Sequence, residues 1–201
     1  MTFWKEYFDE VSQNLAGRSG SFKKIFKYLD DLKCKEVFIV ETGCYREENN
    51  YDGDGCSTLL FDNYVKHRGG NVIAIDINPE ACKLARDNTS NKVEVICGDS
   101  VEELGYLEGK VDLLYLDSFN ITDWGNDWES SSHHLKELFA AKNAIKPGTL
   151  IVVDDNLPNP KTNVIPLRVG KGRIISELMD GLDIEPYIND YQMGWIWKEL
   201  D

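Results

Sequence analysis

Five short apolar runs, at residues 37–40, 72–75, 93–96, 113–116 and 150–153, punctuate the chain and constrain its fold more than any other feature. Runs this short with few polar interruptions are what strands look like when both faces are buried, as in a parallel sheet. Between them lie helical patterns. Residues 57–66 form one, and 79–87 another, opened by Asn78 as N-cap with Pro79 at the first helical position; 100–107 and 132–145 follow, the latter closed by Pro147-Gly148. Strands alternating with helices predict a doubly wound α/β sheet. Residues 3–15 and 22–32 place apolar side chains at helical spacing on either side of the turn-like break Gly17-Arg18-Ser19-Gly20, so two helices lead the chain. After a helix at 173–179, strands at 184–188 and 192–197 are close enough for a hairpin, which adds an antiparallel strand to a seven-stranded, mainly parallel sheet.

The chain has 201 residues, is 42% hydrophobic and contains no internal repeat, which predicts one domain over 1–201, with a helical cap at 1–35 and the sheet core at 36–201. Its formal charge of -13, from 35 acidic and 22 basic residues, repels a phosphate backbone and argues against a nucleic-acid partner. No apolar run approaches the roughly 20 residues of a membrane span, and residues 1–20 lack the apolar stretch of a signal peptide. The expectation is a soluble cytoplasmic protein with no membrane partner, and a homodimer is left open. The cysteines Cys34, Cys44, Cys56, Cys82 and Cys97 are odd in number and never spaced C-x-x-C, so free thiols are expected.

In an open α/β sheet the ligand sits at the carboxyl ends of the strands. Here those ends are acidic: Glu41-Thr42-Gly43-Cys44-Tyr45, Asp76-Ile77, Gly98-Asp99-Ser100, Asp117 and Asp154-Asp155-Asn156. An acid ending the second strand suits a ribose, because a carboxylate accepts from both the 2′ and 3′ hydroxyls; Asp76 is that residue. The dinucleotide pattern G-x-G-x-x-G is missing from the first turn, so a pyrophosphate would be poorly served there. A phosphate-free cationic ligand carrying ribose and adenine, such as S-adenosylmethionine, fits the acidic surface better. The alternative is that these acids only cap helices, Asp99 above all.

With these pieces in this order, the chain resembles the class I S-adenosylmethionine-dependent methyltransferases from Val37 to Leu200, closing hairpin included. The resemblance implies their Rossmann-like fold, and that Glu41, Gly43, Tyr45 and Ser57 hold the methionine moiety. It also implies that Asp76 and Ile77 hold the ribose side and that Asp99 and Ser100 form the adenine edge, with Asp117 closing the cofactor site. Residues 46–54 look like an insertion into the family's compact first loop, a lid, a substrate wall or a plain solvated loop.

The segment Gly148-Thr-Leu-Ile-Val-Val-Asp154-Asp155 looks like the metal-dependent O-methyltransferases, which implies Mg²⁺ on Asp117, Asp154 and Asp155, with Asn156 the alternative in register. Physically, three carboxylates converging from adjacent strand ends repel one another unless a divalent cation or a positive ligand sits between them. Oxygen-only ligands suggest Mg²⁺ or Ca²⁺ rather than zinc. The competing reading is that Asp154 or Asp155 caps a turn leading to Pro158.

Catechol-type relatives carry a lysine three residues after the first metal aspartate, where this chain has Asn120. The amino-methylating branch's Asn/Asp-Pro-Pro-aromatic loop is replaced by Asp117-Ser118-Phe119-Asn120. Asp117 and His134 are the catalytic candidates, His134 as a general base on the apolar face of its helix, against the alternative of a satisfied core histidine; His133 and His67 are expected to face solvent. Phe3, Trp4, Tyr7, Phe8, Trp124 and Trp128 either line a substrate mouth or pack on the sheet, and Lys171-Gly172-Arg173 reads as a short basic spot. The function expected is metal-assisted O-methylation of a small molecule, a sugar or a secondary metabolite. The rivals are a non-catalytic S-adenosylmethionine-binding module and a nicotinamide-dependent oxidoreductase.

Overall fold

A computed structural model describes residues 3–123, 126–158 and 168–199. Its main sheet has seven strands in the order β3-β2-β1-β4-β5-β9-β8. The strands are β1 (Val37–Thr42), β2 (Gly70–Asp76), β3 (Val93–Cys97), β4 (Leu113–Leu116), β5 (Leu150–Val153), β8 (Ile188–Asn189) and β9 (Met193–Ile196). The first five pair in parallel, and β9 runs antiparallel to both β5 and β8. The expected sheet and its closing hairpin are both present, although the first hairpin strand is shorter than the 184–188 pattern suggested.

The apolar runs alternate sides once they are strands. Leu113, Tyr115, Leu150 and Val152 join a core with Phe22, Phe26, Phe61 and Tyr64, whereas Leu114, Leu116, Ile151 and Val153 join a second core with Leu138, Ile175 and Met179. The first core is covered by α2 (Ser19–Asp31) and α3 (Ser57–Arg68), the second by α5 (Ser100–Gly105), α6 (Trp128–Ala140) and α7 (Arg173–Gly181). Two covered faces explain why the strands read as continuous apolar runs. Helix α4 (Pro79–Asn88) starts as expected, with the Asn78 side chain accepting from the Glu80 amide at 2.9 Å.

The leading segment is less regular than two helices. A π-helical turn at Trp4–Phe8 runs into α1 (Asp9–Val11) and two 3₁₀ turns, Ser12–Asn14 and Ala16–Arg18, before α2 begins at Ser19. Phe3 and Phe8 pack in the aromatic core rather than at a substrate mouth, and the Trp4 indole N–H donates to Asp30 at 2.8 Å. Trp128 is 59% exposed, whereas Trp124 lies outside the described residues. A two-stranded ribbon that the sequence reading missed, β6 (Asn156–Pro158) with β7 (Arg168–Gly170), follows β5. All five cysteines are free, and among the described residues no helix is long and apolar enough to cross a membrane.

Phe26 sits at the centre of the first core, 4.8 Å ring to ring from both Phe3 and Tyr64. Phe26→Ala is expected to cost about 3–5 kcal/mol in urea unfolding, as cavity creation in a packed aromatic core does. A loss below about 1 kcal/mol would show that the leading segment is a loose appendage.

Candidate functional site

The strand order reverses direction at β1, which lies between β2 and β4, and the crevice beyond the carboxyl ends of β1 and β4 is where such sheets hold ligands. Here the two loops touch. Gly43 has φ +79°, and a Cβ there would lie 2.6 Å from the Asp117 carbonyl oxygen, so only glycine lets β1 turn this close to β4. The cleft that results is lined by Gly43, Cys44, Tyr45, Arg46, Asp54, Cys56, Ser57 and Asp117.

Glu41, the penultimate residue of β1, is fully buried. Ser57 Oγ, at the start of α3, donates to its Oε2 at 2.8 Å, while its Oε1 has no hydrogen-bond partner. Burial pushes the carboxyl up to about 8, against the help of its hydroxyl donors. An unpaired buried oxygen of this kind is a place prepared for a donor. Asp76, at the end of β2, accepts from the Cys44 amide at 3.0 Å and the Asn78 amide at 2.8 Å, and its half-buried carboxylate has further lone pairs to spare. Ile77, beside it, is 72% exposed.

Other expected site residues have structural duties. Tyr45 is buried, and its hydroxyl accepts from the Asn49 amide at 3.0 Å, so it anchors the 46–54 loop. Asp99 is the N-cap of α5, accepting from the amides of Val101 and Glu102. Ser100 is buried with its hydroxyl 3.3 Å from His133 Nε2. The 46–54 loop forms a wall: Arg46 joins Asp54 at 2.6 Å and reaches across the cleft to Asn120 at 2.9 Å.

His134 is fully buried in α6, with Nδ1 2.7 Å from the Ser130 carbonyl and Nε2 3.9 Å from Glu137. Burial lowers its imidazole to about 4, so it is neutral and weakly basic, as a core histidine is. His133, expected in solvent, instead contacts Ser100 and lies 3.3 Å from Glu137, whereas His67 is exposed as expected. Glu137 was not anticipated; its buried carboxylate also accepts from Thr42 and Ser118, tying α6 to the ends of β1 and β4.

The three aspartates do converge, and the cations between them belong to the chain. Arg18 Nε bonds Asp154 Oδ2 at 2.9 Å and Arg18 Nη2 bonds Asp155 Oδ1 at 2.9 Å, with the guanidinium 4.6 Å over the Tyr191 ring. Lys171, wholly buried rather than a solvated basic spot, bonds Asp117 Oδ1 and lies 2.8 Å from Asp155 Oδ2. Tyr115 donates to Asp154 at 2.8 Å and Tyr191 to Asp155 at 2.7 Å. Asn156, the register alternative, is occupied with the carbonyls of Val153 and Asp154 and the amide of Gly172. No capped turn leads to Pro158; Asn156–Pro158 is strand β6.

A divalent metal does not fit this donor set as it stands. Mg²⁺ needs carboxylate oxygens open to it and room for its waters. Here these oxygens face an ammonium and a guanidinium, and among the described residues no group of three or more His, Cys, Asp or Glu side chains is arranged to hold a metal ion.

Asp154→Ala would leave buried Arg18 with Asp155 as its one carboxylate and Tyr115 without its acceptor, so it is expected to lower stability by about 2–3 kcal/mol in denaturant titration. A loss under about 1 kcal/mol would mean that the ion pair is effectively solvated.

Comparison with known proteins agrees with this geometry. No curated protein matches the sequence. Among solved structures, the chain is similar to MycE methyltransferase from the mycinamycin biosynthetic pathway, in complex with Mg, SAH and mycinamycin VI, at 14% identity and TM-score 0.60. That match covers 92% of this chain and 50% of the other, so the chain spans about half the length of MycE. It is also similar to SAH-bound Podospora anserina methyltransferase PaMTH1, at 17% identity and TM-score 0.56, covering 98% of this chain and 85% of that one. A Streptococcus thermophilus rRNA methylase matches at 11% identity and TM-score 0.53, covering 87% and 95% respectively. These likenesses establish the fold. A family model described as a methyltransferase domain matches residues 53–156, just over half of the chain, and with the sheet order and the site at its switch point this chain belongs to the class I S-adenosylmethionine-dependent methyltransferases.

Proposed function

We propose that the protein transfers the methyl group of S-adenosylmethionine to a hydroxyl oxygen of a small molecule, a sugar or secondary metabolite. The observation that carries the cofactor reading is the buried Glu41, with one oxygen held by Ser57, a residue that lines the cleft, and the other unpaired. With the cofactor bound, Glu41 would accept at that oxygen from the cofactor's ammonium group, Asp76 would accept from the ribose hydroxyls, and exposed Ile77 would offer an apolar surface to the adenine, near the α5 start at Asp99 and Ser100.

When bound, the cofactor supplies an electrophilic sulfonium methyl group. The residues around Asp117 do the rest. Two cations, Arg18 and Lys171, stand against Asp117, Asp154 and Asp155, and burial pushes the Asp117 carboxyl up to about 8 against the pull of Lys171, so the cluster offers a phosphate ligand no surplus positive charge beside the cleft. Asp117 lines the cleft and is the group placed to accept a hydrogen bond from the acceptor hydroxyl and, once ionised, to take its proton; with its carboxyl raised by burial, this step gains as pH rises through about 8, and His134, enclosed within α6, is not used. Arg46 and Asn120 form the outer wall through which the acceptor enters. The overall charge of -13 favours a small-molecule acceptor over a nucleic acid.

The test is calorimetric titration with S-adenosylmethionine, with NAD as control. At pH 7 Glu41 is largely protonated in the free protein, because burial raises it to about 8, and an ammonium against its carboxylate favours ionisation. Binding is therefore expected to release close to one proton at pH 7, fading above pH ~9 as Glu41 is already ionised, a difference read from buffers of unlike ionisation enthalpy. Asp76→Ala is expected to weaken binding roughly ten- to hundredfold. Binding of NAD but not S-adenosylmethionine would overturn the reading; unaltered affinity in Asp76→Ala would remove Asp76 from the site.

A further inference from the structure

The convergence of Asp117, Asp154 and Asp155 poses an electrostatic problem, since like charges at adjacent strand ends cannot all ionise in a dry interior without a counter-charge. We propose that Lys171, backed by Arg18, is the resident cation of this site: its ammonium takes the place among the three aspartates that a divalent metal would take, and it holds Asp117 against the cleft without one.

The ammonium is saturated. A lysine has three N–H donors and no acceptor, and Lys171 Nζ has three oxygens in reach: Asp117 Oδ1, the Asp117 carbonyl at 3.3 Å and Asp155 Oδ2 at 2.8 Å. Its side chain is 0% exposed, so no water competes for those donors from bulk solvent. Burial alone would lower the lysine's pKa; Asp117, Asp155 and Asp154 outweigh burial and hold it above the usual amine range. Arg18 completes the neutralisation from the opposite side, through Asp154 and Asp155.

The backbone that delivers Lys171 is built for it. Gly170 has φ +122°, and a Cβ there would fall 2.1 Å from the Asp155 carbonyl oxygen, so β7 can approach the acidic strand end this closely only as glycine. The Gly170 amide donates to buried Asp127 at 2.7 Å, the Lys171 amide to the Asp155 carbonyl at 3.2 Å, and the Gly172 amide to Asn156 Oδ1 at 2.9 Å. Arg173 closes on the other Asp127 oxygen at 2.8 Å. Three successive amides are thus tied down, and the one side chain between the two glycines points into the aspartates. A lysine that merely drifted inward to neutralise an empty metal site would need no such clasp.

The cation assignment stands without the methyl-transfer reading; that Lys171 positions Asp117 for an acceptor rests on it. Lys171 is thus a positioning residue, acting through Asp117 rather than on the acceptor. Thermal unfolding of the wild type is expected to be unchanged by Mg²⁺, Mn²⁺ or EDTA. Lys171→Ala is expected to unfold at lower temperature and to recover, saturably, on adding Mg²⁺, Mn²⁺ or methylammonium, a rescue that a lysine with only a packing role would not give. A Lys171→Ala protein that folds but responds to none of these overturns the proposal, as does a saturable Mg²⁺ stabilisation of the wild type.

Should Lys171→Ala not fold, reductive methylation of the native wild type with mass-spectrometric mapping decides. Lys171 unmodified both with and without Mg²⁺ supports the proposal, and Lys171 that becomes reactive when Mg²⁺ is added refutes it. None of these measurements uses S-adenosylmethionine, so a failure of cofactor binding would sink the function proposed above and leave this assignment intact.

Discussion

The buried ion cluster at the ends of β4 and β5 is the interaction on which the rest of this structure depends. Arg18 comes from the leading segment, Asp117, Asp154 and Asp155 from the strand ends, and Lys171 from the ribbon beyond them. Each ion loses several kcal/mol of hydration on entering the interior, and only mutual pairing with additional hydrogen bonds returns it. Removing either cation leaves the three aspartates with a single counter-charge. The cluster therefore fixes three chain segments relative to one another, which neither aromatic packing under α2 nor the strand ladder would do alone.

This arrangement also organises the cleft. Asp117, on the β4 loop, meets Gly43 of the β1 loop through its backbone and Lys171 through its side chain. Glu137 ties the same loops together from beneath, through Thr42 and Ser118. The cleft thus has one wall held by charge and one held by hydrogen bonds, and Ser57, which lines it, bonds the buried Glu41 whose second oxygen is unpaired. A site so ordered before any ligand arrives loses little conformational entropy on binding.

The sheet was legible because strands buried on both faces must be written in apolar residues, and the five parallel strands fall on the five runs, extended by at most two residues at either end. The acidic strand ends were legible for the same reason: a charge directly after such a run has few structural explanations. What the sequence concealed was the partner of those acids. Arg18 lies 136 residues from Asp154 and within Gly17-Arg18-Ser19-Gly20, whose composition signals a turn. Lys171, between two glycines, reads in the sequence as part of a short basic spot ahead of a helix for the same cause. A usable signal was present in the surplus of converging carboxylates, which demands cations from somewhere in the chain. It could not say whether the demand was met by a metal or by side chains, because spacing along the chain says nothing about which loops return to the sheet.

The central claim is a class I methyltransferase site whose cation is built into its own chain. Its most direct test is a crystal structure grown with S-adenosylhomocysteine and excess Mn²⁺, with anomalous scattering recorded at the manganese edge. The account predicts the ligand's amino group against Glu41, Lys171 Nζ among Asp117 and Asp155, and no anomalous peak at these aspartates. A manganese peak there, with Lys171 turned away, would contradict it.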